Sequence, residues 1–183
     1  MTPLNSILVL LAAVLAVFCE AAGGGLHQLL GAQIDLLPAL MVYAGLNAGL
    51  GTVTTLAVVS GLLFDSLSAN PLGVSVLPLF AAGFLIHFNH ELLLRQQLFA
   101  QCVLGLIASA VVPALTLLLV LSTRRTPLVG WGSLWQWCVM AVGGMIATPI
   151  LFKLFHWCDR LFSYGRESST SFRPDREIRR GRF

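Results

Sequence analysis

Residues 98–121, LFAQCVLGLIASAVVPALTLLLVL, form a segment of 24 residues without a charged side chain. A hydrocarbon layer about 30 Å thick is crossed by about 20 helical residues, so this segment predicts a transmembrane helix. Its apolar residues follow one another without the alternation of apolar and polar residues that marks the strands of a membrane barrel. The segment therefore predicts an α-helical integral membrane protein.

The composition of the whole chain agrees with this prediction. Of the 183 residues, 57% are hydrophobic and 10% are charged, whereas about 25% are charged in an ordinary soluble domain. The mean hydropathy is +0.85. Because a soluble protein of this length needs a more charged surface, the soluble enzyme classes are excluded first.

Five further apolar segments complete a predicted all-α bundle of six transmembrane helices with a short second helix. The charge-free stretch between Asp35 and Asp65 is too long for one untilted span and too short for two full spans. Its glycines and asparagine at residues 45–51 weaken a helix, so we predict a break there and a second helix that is short or re-entrant. The predicted helices are 4–18, 34–46, 50–66, 72–88, 98–121 and 131–157.

The charges are unevenly distributed, with a net −1 over residues 1–152 and +4 over residues 153–183. A basic segment directly after the last apolar segment is typical of a cytoplasmic end. We therefore expect a transmembrane bundle over residues 1–164 and a cytoplasmic, Arg-rich and mostly disordered tail over residues 165–183. The side chains expected at the membrane interface are Trp131, Trp135, Trp157 and Arg160.

Two carboxylates lie at the ends of predicted helices. Asp65 precedes a turn rich in Ser, Asn and Pro, where a carboxylate can accept hydrogen bonds from the free backbone donors of the next helix. Asp35 precedes Leu36-Leu37-Pro38, which suits an N-cap followed by a proline in the first helical turn. A structural role is favoured for both residues, and a proton or cation site at Asp65 is the alternative.

The other polar residues form no pattern typical of catalysis or metal binding. His87 and His90 are three residues apart, but no matching ligand cluster follows them. The four cysteines form no close pair, and Glu20 is interpreted as an interface marker. Neither a Ser–His–Asp set nor a phosphate-binding loop can be assembled. We expect no catalytic residue, no metal and no other cofactor.

Pairs of small residues predict close contacts between helix backbones. They are Gly45–Gly49, Gly105–Ser109 and Gly143–Ala147. Packing within the bundle is the simpler interpretation, and contact with the single span of a partner is the alternative.

Residues 33–44, QIDLLPALMVYA, and residues 61–73, GLLFDSLSANPLG, are two stretches that resemble the rod shape-determining protein MreD family. Residues 33–44 are similar to its Asp-Leu-Leu stretch with a following Tyr, although Gln33 replaces a frequent Pro. Residues 61–73 resemble its motif Gly-x-x-x-Asp-x-x-Ser-x-x-Pro-Leu-Gly. The resemblance covers about residues 5–155, and the region around Asn47 lacks basic residues often found in the family. The residues that it singles out are Asp35, Pro38, Gly61, Asp65, Ser68, Pro71, Leu72 and Gly73.

The resemblance implies a non-enzymatic component of the bacterial inner membrane that organises peptidoglycan synthesis and so maintains rod shape. Its implied partners are MreC, the actin-like MreB, the glycosyltransferase RodA, a class B penicillin-binding protein and the lipid bilayer, without nucleic acid. The implied fold is similar to the substrate-binding component of energy-coupling-factor transporters.

That similarity supplies an alternative function, a vitamin-binding transporter subunit. A vitamin site needs a cavity lined by several polar or aromatic groups. An ion transporter is the third hypothesis, and it rests on Asp65 alone. The polar residues expected inside the helical bundle are few: Asn47, Thr52, Thr54, Thr55, Ser60, Ser75 and Ser109.

Overall fold

The computed structural model describes residues 3–22, 35–68, 71–89, 98–122 and 130–163. Within these ranges the chain is all-helical and contains six α-helices. Most helix ends lie within four residues of their predicted positions, and the last helix continues six residues beyond its predicted end. The Arg-rich tail predicted from residue 165 lies outside the described residues. The helices are α1 (Pro3–Ala22), α2 (Leu37–Asn47), α3 (Leu50–Leu67), α4 (Val76–Phe88), α5 (Leu98–Ser122) and α6 (Trp131–Ser163).

The predicted break between the second and third helices is confirmed at two residues. Ala48 (φ −104°, ψ 164°) and Gly49 (φ −74°, ψ 159°) have extended backbones. The N–H of Ala48 donates to the carbonyl oxygen of Ala44 at 2.7 Å and closes α2, and the carbonyl of Gly49 accepts the N–H of Val53 at 3.2 Å and opens α3. The long uncharged stretch is therefore two helices.

The short helix α2 lies at the centre of the bundle. It contacts all five other helices, and every residue from Leu37 to Leu46 is buried. A helix that is apolar on all sides suits this position. The ring of Tyr43 stacks on Phe155 of α6 at a centroid distance of 4.4 Å and meets Phe152 edge-on at 5.0 Å. These rings join the centre of the bundle to its last helix.

Small residues bring α5 and α6 together. A Cβ at Gly105 would lie 2.6 Å from the carbonyl oxygen of Gly144 and would collide with Thr148, and a Cβ at Gly144 would collide with Ser109. The predicted pair on α5 is thus confirmed. On α6 the residues in contact are Gly144 and Thr148, each one position later than predicted, because these two face α5.

Three helices are long and apolar enough to cross a membrane, as judged over the described residues. They are α3, α5 and the part of α6 from Trp131 to Arg160, whereas the apolar parts of α1, α2 and α4 are shorter. The outer side of α1 carries a stripe of more than half-exposed apolar side chains, namely Ile7, Leu11, Leu15 and Phe18. Long apolar helices and outward apolar faces fit a membrane protein.

Candidate functional site: the corner at Asp65 and the adjacent cavity

Asp65 joins the last turn of α3 to the turn that precedes α4. Its side chain is 2% exposed, and its Oδ2 accepts the N–H of Gly73 at 2.8 Å and the N–H of Ser75 at 3.1 Å. The predicted bonding to backbone donors is therefore present. Both donors belong to residues 72–75. These residues form a turn, and α4 begins at Val76, four residues later than expected.

Two glycines of the 61–73 motif shape the same corner. A Cβ at Gly61 would lie 2.9 Å from the backbone nitrogen and Cα of Val76, so glycine lets α3 pass close to the start of α4. Gly73 has φ +90°, a backbone conformation that glycine adopts without steric cost. Both positions therefore require glycine for the geometry of the corner.

The remaining motif residues end α3 and form the turn. The N–H of Ser68 donates to the carbonyl oxygen of Phe64 at 2.9 Å, and the carbonyl of Pro71 accepts the N–H of Val74 at 3.3 Å. Leu72 points outward and is 70% exposed. The motif thus builds one hydrogen-bonded corner at one end of the bundle.

Asp35 lies before α2, and its predicted role as the N-cap is wrong by one residue. The N-cap position is Leu36, whereas Oδ1 of Asp35 accepts the N–H of Leu37 at 2.8 Å across two residues, as in an Asx turn. Pro38 lies in the first turn of α2, as predicted. Burial raises the pKa of Asp35 to about 6, and the hydrogen bond from Leu37 opposes this rise.

Glu20 is more than the interface marker that the sequence indicates. Its Oε1 accepts the N–H of Leu36 at 2.6 Å, so the end of α1 is tied to the start of α2. Its Oε2 is buried without a hydrogen-bond partner among the described residues. The partner lies 16 residues away in sequence, and no local pattern around Glu20 predicts it.

A cavity of about 400 Å³, which we call the Asp35 cavity, lies beside the start of α2. Its walls come from the C-terminal parts of α3 and α5 and the N-terminal parts of α4 and α6, so it lies at the same end of the bundle as Asp65. Its volume falls in the range of about 300–1,000 Å³ that is typical of small-molecule sites. The polar residues in its lining are Asp35, Ser68, Ser75, Thr116 and Gln136.

Two of these polar residues are deeply buried. Asp35 is 8% exposed and Ser75 is 4% exposed. The Oγ of Ser75 has no hydrogen-bond partner within the described part of the chain, whereas the Oγ1 of Thr116 donates to the carbonyl oxygen of Val112 at 2.9 Å. A second cavity of about 130 Å³ lies at Glu20 and shares Phe64 and Ser68 with the first. Ser75 is among the polar residues predicted for the interior of the bundle, whereas Asp35 is not.

The other predicted site residues do not line the Asp35 cavity. Trp131, Trp135 and Trp157 are 88%, 61% and 60% exposed, and Arg160 is also exposed. Their position at a membrane interface stays a prediction. The Nδ1 of His87 lies 3.3 Å from the carbonyl oxygen of Gly45, and His90 lies outside the described residues. Across the ranges that the structure describes, no group of three potential metal ligands is found.

The fold and site define an all-helical protein with three candidate membrane spans. The Asp35 cavity, with polar residues in its lining, lies at one end of the bundle. Neither a family model, nor a curated protein, nor a solved structure matches the chain. The resemblance to MreD therefore rests on residues 33–44 and 61–73.

Proposed function

We propose that this protein is a non-enzymatic membrane scaffold of the MreD type, which maintains cell shape by organising peptidoglycan synthesis. One observation carries the proposal: the 61–73 motif forms a single corner in which Asp65 accepts the N–H groups of Gly73 and Ser75. The 61–73 motif is the most specific part of the resemblance, and the geometry of this corner gives a physical reason for its residue types. Such a corner supports a rigid helix pair that other membrane proteins can bind.

The same observation weighs against an ion transporter. A transported proton or cation needs a carboxylate whose oxygens can exchange partners, and such intramembrane acids usually face a pathway. Asp65 is 2% exposed, its Oδ2 is bound to two backbone donors, and its Oδ1 is buried without a hydrogen-bond partner among the described residues. Its geometry supports a structural role.

In this proposal all six helices form a transmembrane bundle like that of energy-coupling-factor substrate-binding components. It lies in the bacterial inner membrane with the C-terminus in the cytoplasm. The shorter helices α1, α2 and α4 are accommodated by their packing around the centre of the bundle and by local thinning of the bilayer. The eight basic residues from Lys153 onward support the cytoplasmic orientation.

The proposed partners are MreC and, with it, MreB, RodA and a class B penicillin-binding protein. Within the described residues, Gly105 and Gly144 are used for packing inside the bundle, and Gly45 lies against Gly83 of α4. A partner span therefore has to meet outward apolar faces, such as the stripe of Ile7, Leu11, Leu15 and Phe18 on α1.

Affinity purification of the full chain from bacterial membranes tests the scaffold proposal. We expect MreC among the proteins identified by mass spectrometry, and its absence from a parallel purification of an unrelated multi-span protein. A Leu11→Arg variant probes the outer stripe. The control is Thr54→Arg on α3, because Thr54 is exposed rather than inside the bundle, where the sequence predicts it. An eluate that contains an ATPase module and no MreC would refute the scaffold proposal.

A vitamin-binding transporter subunit is the second candidate, and the Asp35 cavity favours it. The cavity is large enough for a small ligand, but only five of the described residues that line it are polar. Extraction of the purified protein with organic solvent, followed by mass spectrometry of the extract, tests this candidate. A stoichiometric vitamin supports it, and lipid alone contradicts it.

A further inference from the structure

We propose that the Asp35 cavity binds an amphiphile with a primary ammonium group, whose charged end contacts Asp35 and Ser75 and whose chain lies along Leu79, Val112 and Leu117. This inference is independent of the scaffold proposal, because it depends only on the cavity and its lining. Two sources share the chemistry, namely a phospholipid with an ethanolamine headgroup and a free alkylamine.

The walls of the cavity favour an apolar chain over water. Its volume of about 400 Å³ corresponds to roughly 13 water molecules at about 30 Å³ each, and a buried water needs two to four polar partners. Five of the lining residues are polar, and the hydroxyl of Thr116 already donates to a carbonyl oxygen. Apolar side chains form the rest of the wall that the structure describes, so a hydrocarbon chain fits where ordered water lacks partners.

The polar end of the cavity favours a positive charge. Asp35 is 8% exposed, and a buried carboxylate is stable only when it is paired or well hydrogen-bonded. Among the described residues that line the cavity, none is Lys, Arg or His. In the proposal, the ligand supplies the cation that these described lining residues lack.

Ser75 explains why the cation is an ammonium with N–H groups. Its Oγ is buried and lacks a partner in the part of the chain that the structure describes, and it lines the same cavity as Asp35. An ammonium offers three donors, which suffice for the carboxylate of Asp35 and the hydroxyl oxygen of Ser75. A quaternary ammonium such as choline has no N–H and satisfies neither acceptor by hydrogen bonding.

The wall at Leu117 gives the ligand a way in from the side. Leu117 lines the cavity and is 37% exposed, so the outer surface of α5 and the cavity meet there. A chain that enters at Leu117 reaches the cavity from the lipid layer, and its charged end then approaches Asp35.

Native mass spectrometry of the full chain tests the proposal with two lipids. The protein is reconstituted with phosphatidylethanolamine or with phosphatidylcholine of identical chains, and retained lipid is counted after release. We expect phosphatidylethanolamine to be retained at least tenfold more. Asp35→Asn should reduce its retention to the level of phosphatidylcholine, whereas Asp159→Asn, at the far end of α6, should leave it unchanged.

A chain-blocking variant and its neighbour test the apolar part. Leu117→Trp should abolish retention because the indole fills the cavity, whereas Leu118→Trp should not, since Leu118 is 62% exposed and does not line the cavity. If Leu117→Trp is not monodisperse, Gln136→Phe replaces it on the wall formed by α6. Dodecylamine bound in place of the lipid supports the free-amine source. Equal retention of both lipids, or retention that Leu117→Trp leaves unchanged, would overturn the proposal.

Discussion

The Oδ2 of Asp65 accepts the N–H of Gly73 at 2.8 Å, and Gly73 holds a φ of +90°. A buried acid at the end of α3 is thus bonded to a residue whose backbone conformation favours glycine. The two most distinctive residues of the 61–73 motif meet in one contact, which sets the path of the chain into α4.

Replacement of Asp65 should separate hydrogen bonding from charge. Asp65→Asn keeps one oxygen acceptor and the shape of the side chain, whereas Asp65→Leu leaves the N–H groups of Gly73 and Ser75 without their partner. A buried donor left unsatisfied costs about 1–3 kcal/mol. We therefore expect the Leu variant to melt at a lower temperature in detergent and to be less abundant in the membrane than the Asn variant.

Ser66→Ala is the matched control for this prediction. Ser66 is adjacent to Asp65 and exposed, and its Oγ donates to the carbonyl oxygen of Leu63 within the same helix. The control should behave as the wild type. Asn and Leu variants that are equally abundant, equally stable and equally unable to restore rod shape would instead favour the titratable role of Asp65.

Gly61→Ala should destabilise the corner by overpacking. The added Cβ would lie 2.9 Å from the backbone of Val76, so α3 and α4 have to move apart at a cost of about 1–3 kcal/mol. Gly51→Ala on the same helix meets nothing within 4 Å and should raise stability by about 0.5–1 kcal/mol, because alanine is the better helix former. Melting temperatures of the two variants in one detergent should therefore shift in opposite directions.

The helices were predictable from the sequence because apolar segments and their polar ends are local features. The break at Ala48 and Gly49 followed from the glycines around Asn47, which weaken a helix. The start of α4 was misplaced, since the N–H groups of Gly73 and Ser75 bond to Asp65 and residues 72–75 form a turn. The turn at residues 72–75 thus depends on Asp65, which belongs to another helix.

The cavity and the role of Glu20 were beyond sequence reasoning for a related reason. Glu20 bonds to the N–H of Leu36, and the walls of the cavity come from five parts of the chain that only tertiary packing brings together. The sequence identified Asp35 as a residue that binds a helix start. It could not show that Asp35 also lines a cavity between four other helices.

The stability of the protein should fall as the pH rises through the titration of Asp35. Burial raises the pKa of this residue from 3.8 to about 6, so the folded protein binds the proton more tightly than the unfolded chain. The stabilisation is complete below about pH 4 and is lost between pH 4 and pH 6, at a cost of no more than about 3 kcal/mol. Melting temperatures measured from pH 4 to pH 8 check this slope.

Two variants identify the group that is responsible for this slope. Asp35→Asn cannot titrate and should reduce the pH dependence, with a melting temperature at pH 7.5 at or above that of the wild type. Glu20→Gln removes the neighbouring carboxylate, which interacts electrostatically with Asp35, and should leave part of the slope. An unchanged slope in Asp35→Asn would assign the titration to another residue.

The orientation of the bundle can be measured with two cysteines placed beyond opposite ends of α6. Gly130 precedes α6 and is exposed, and Ser169 follows it in the basic tail. The background for both variants has its four native free cysteines replaced by Ala, namely Cys19, Cys102, Cys138 and Cys158. An impermeant maleimide added to intact cells should label Gly130→Cys and spare Ser169→Cys. The basic residues of the tail predict that it lies on the cytoplasmic side, so permeabilised cells should show both positions labelled. Labelling of Ser169→Cys alone in intact cells would reverse the orientation, and with it the leaflet in which the Asp35 cavity lies.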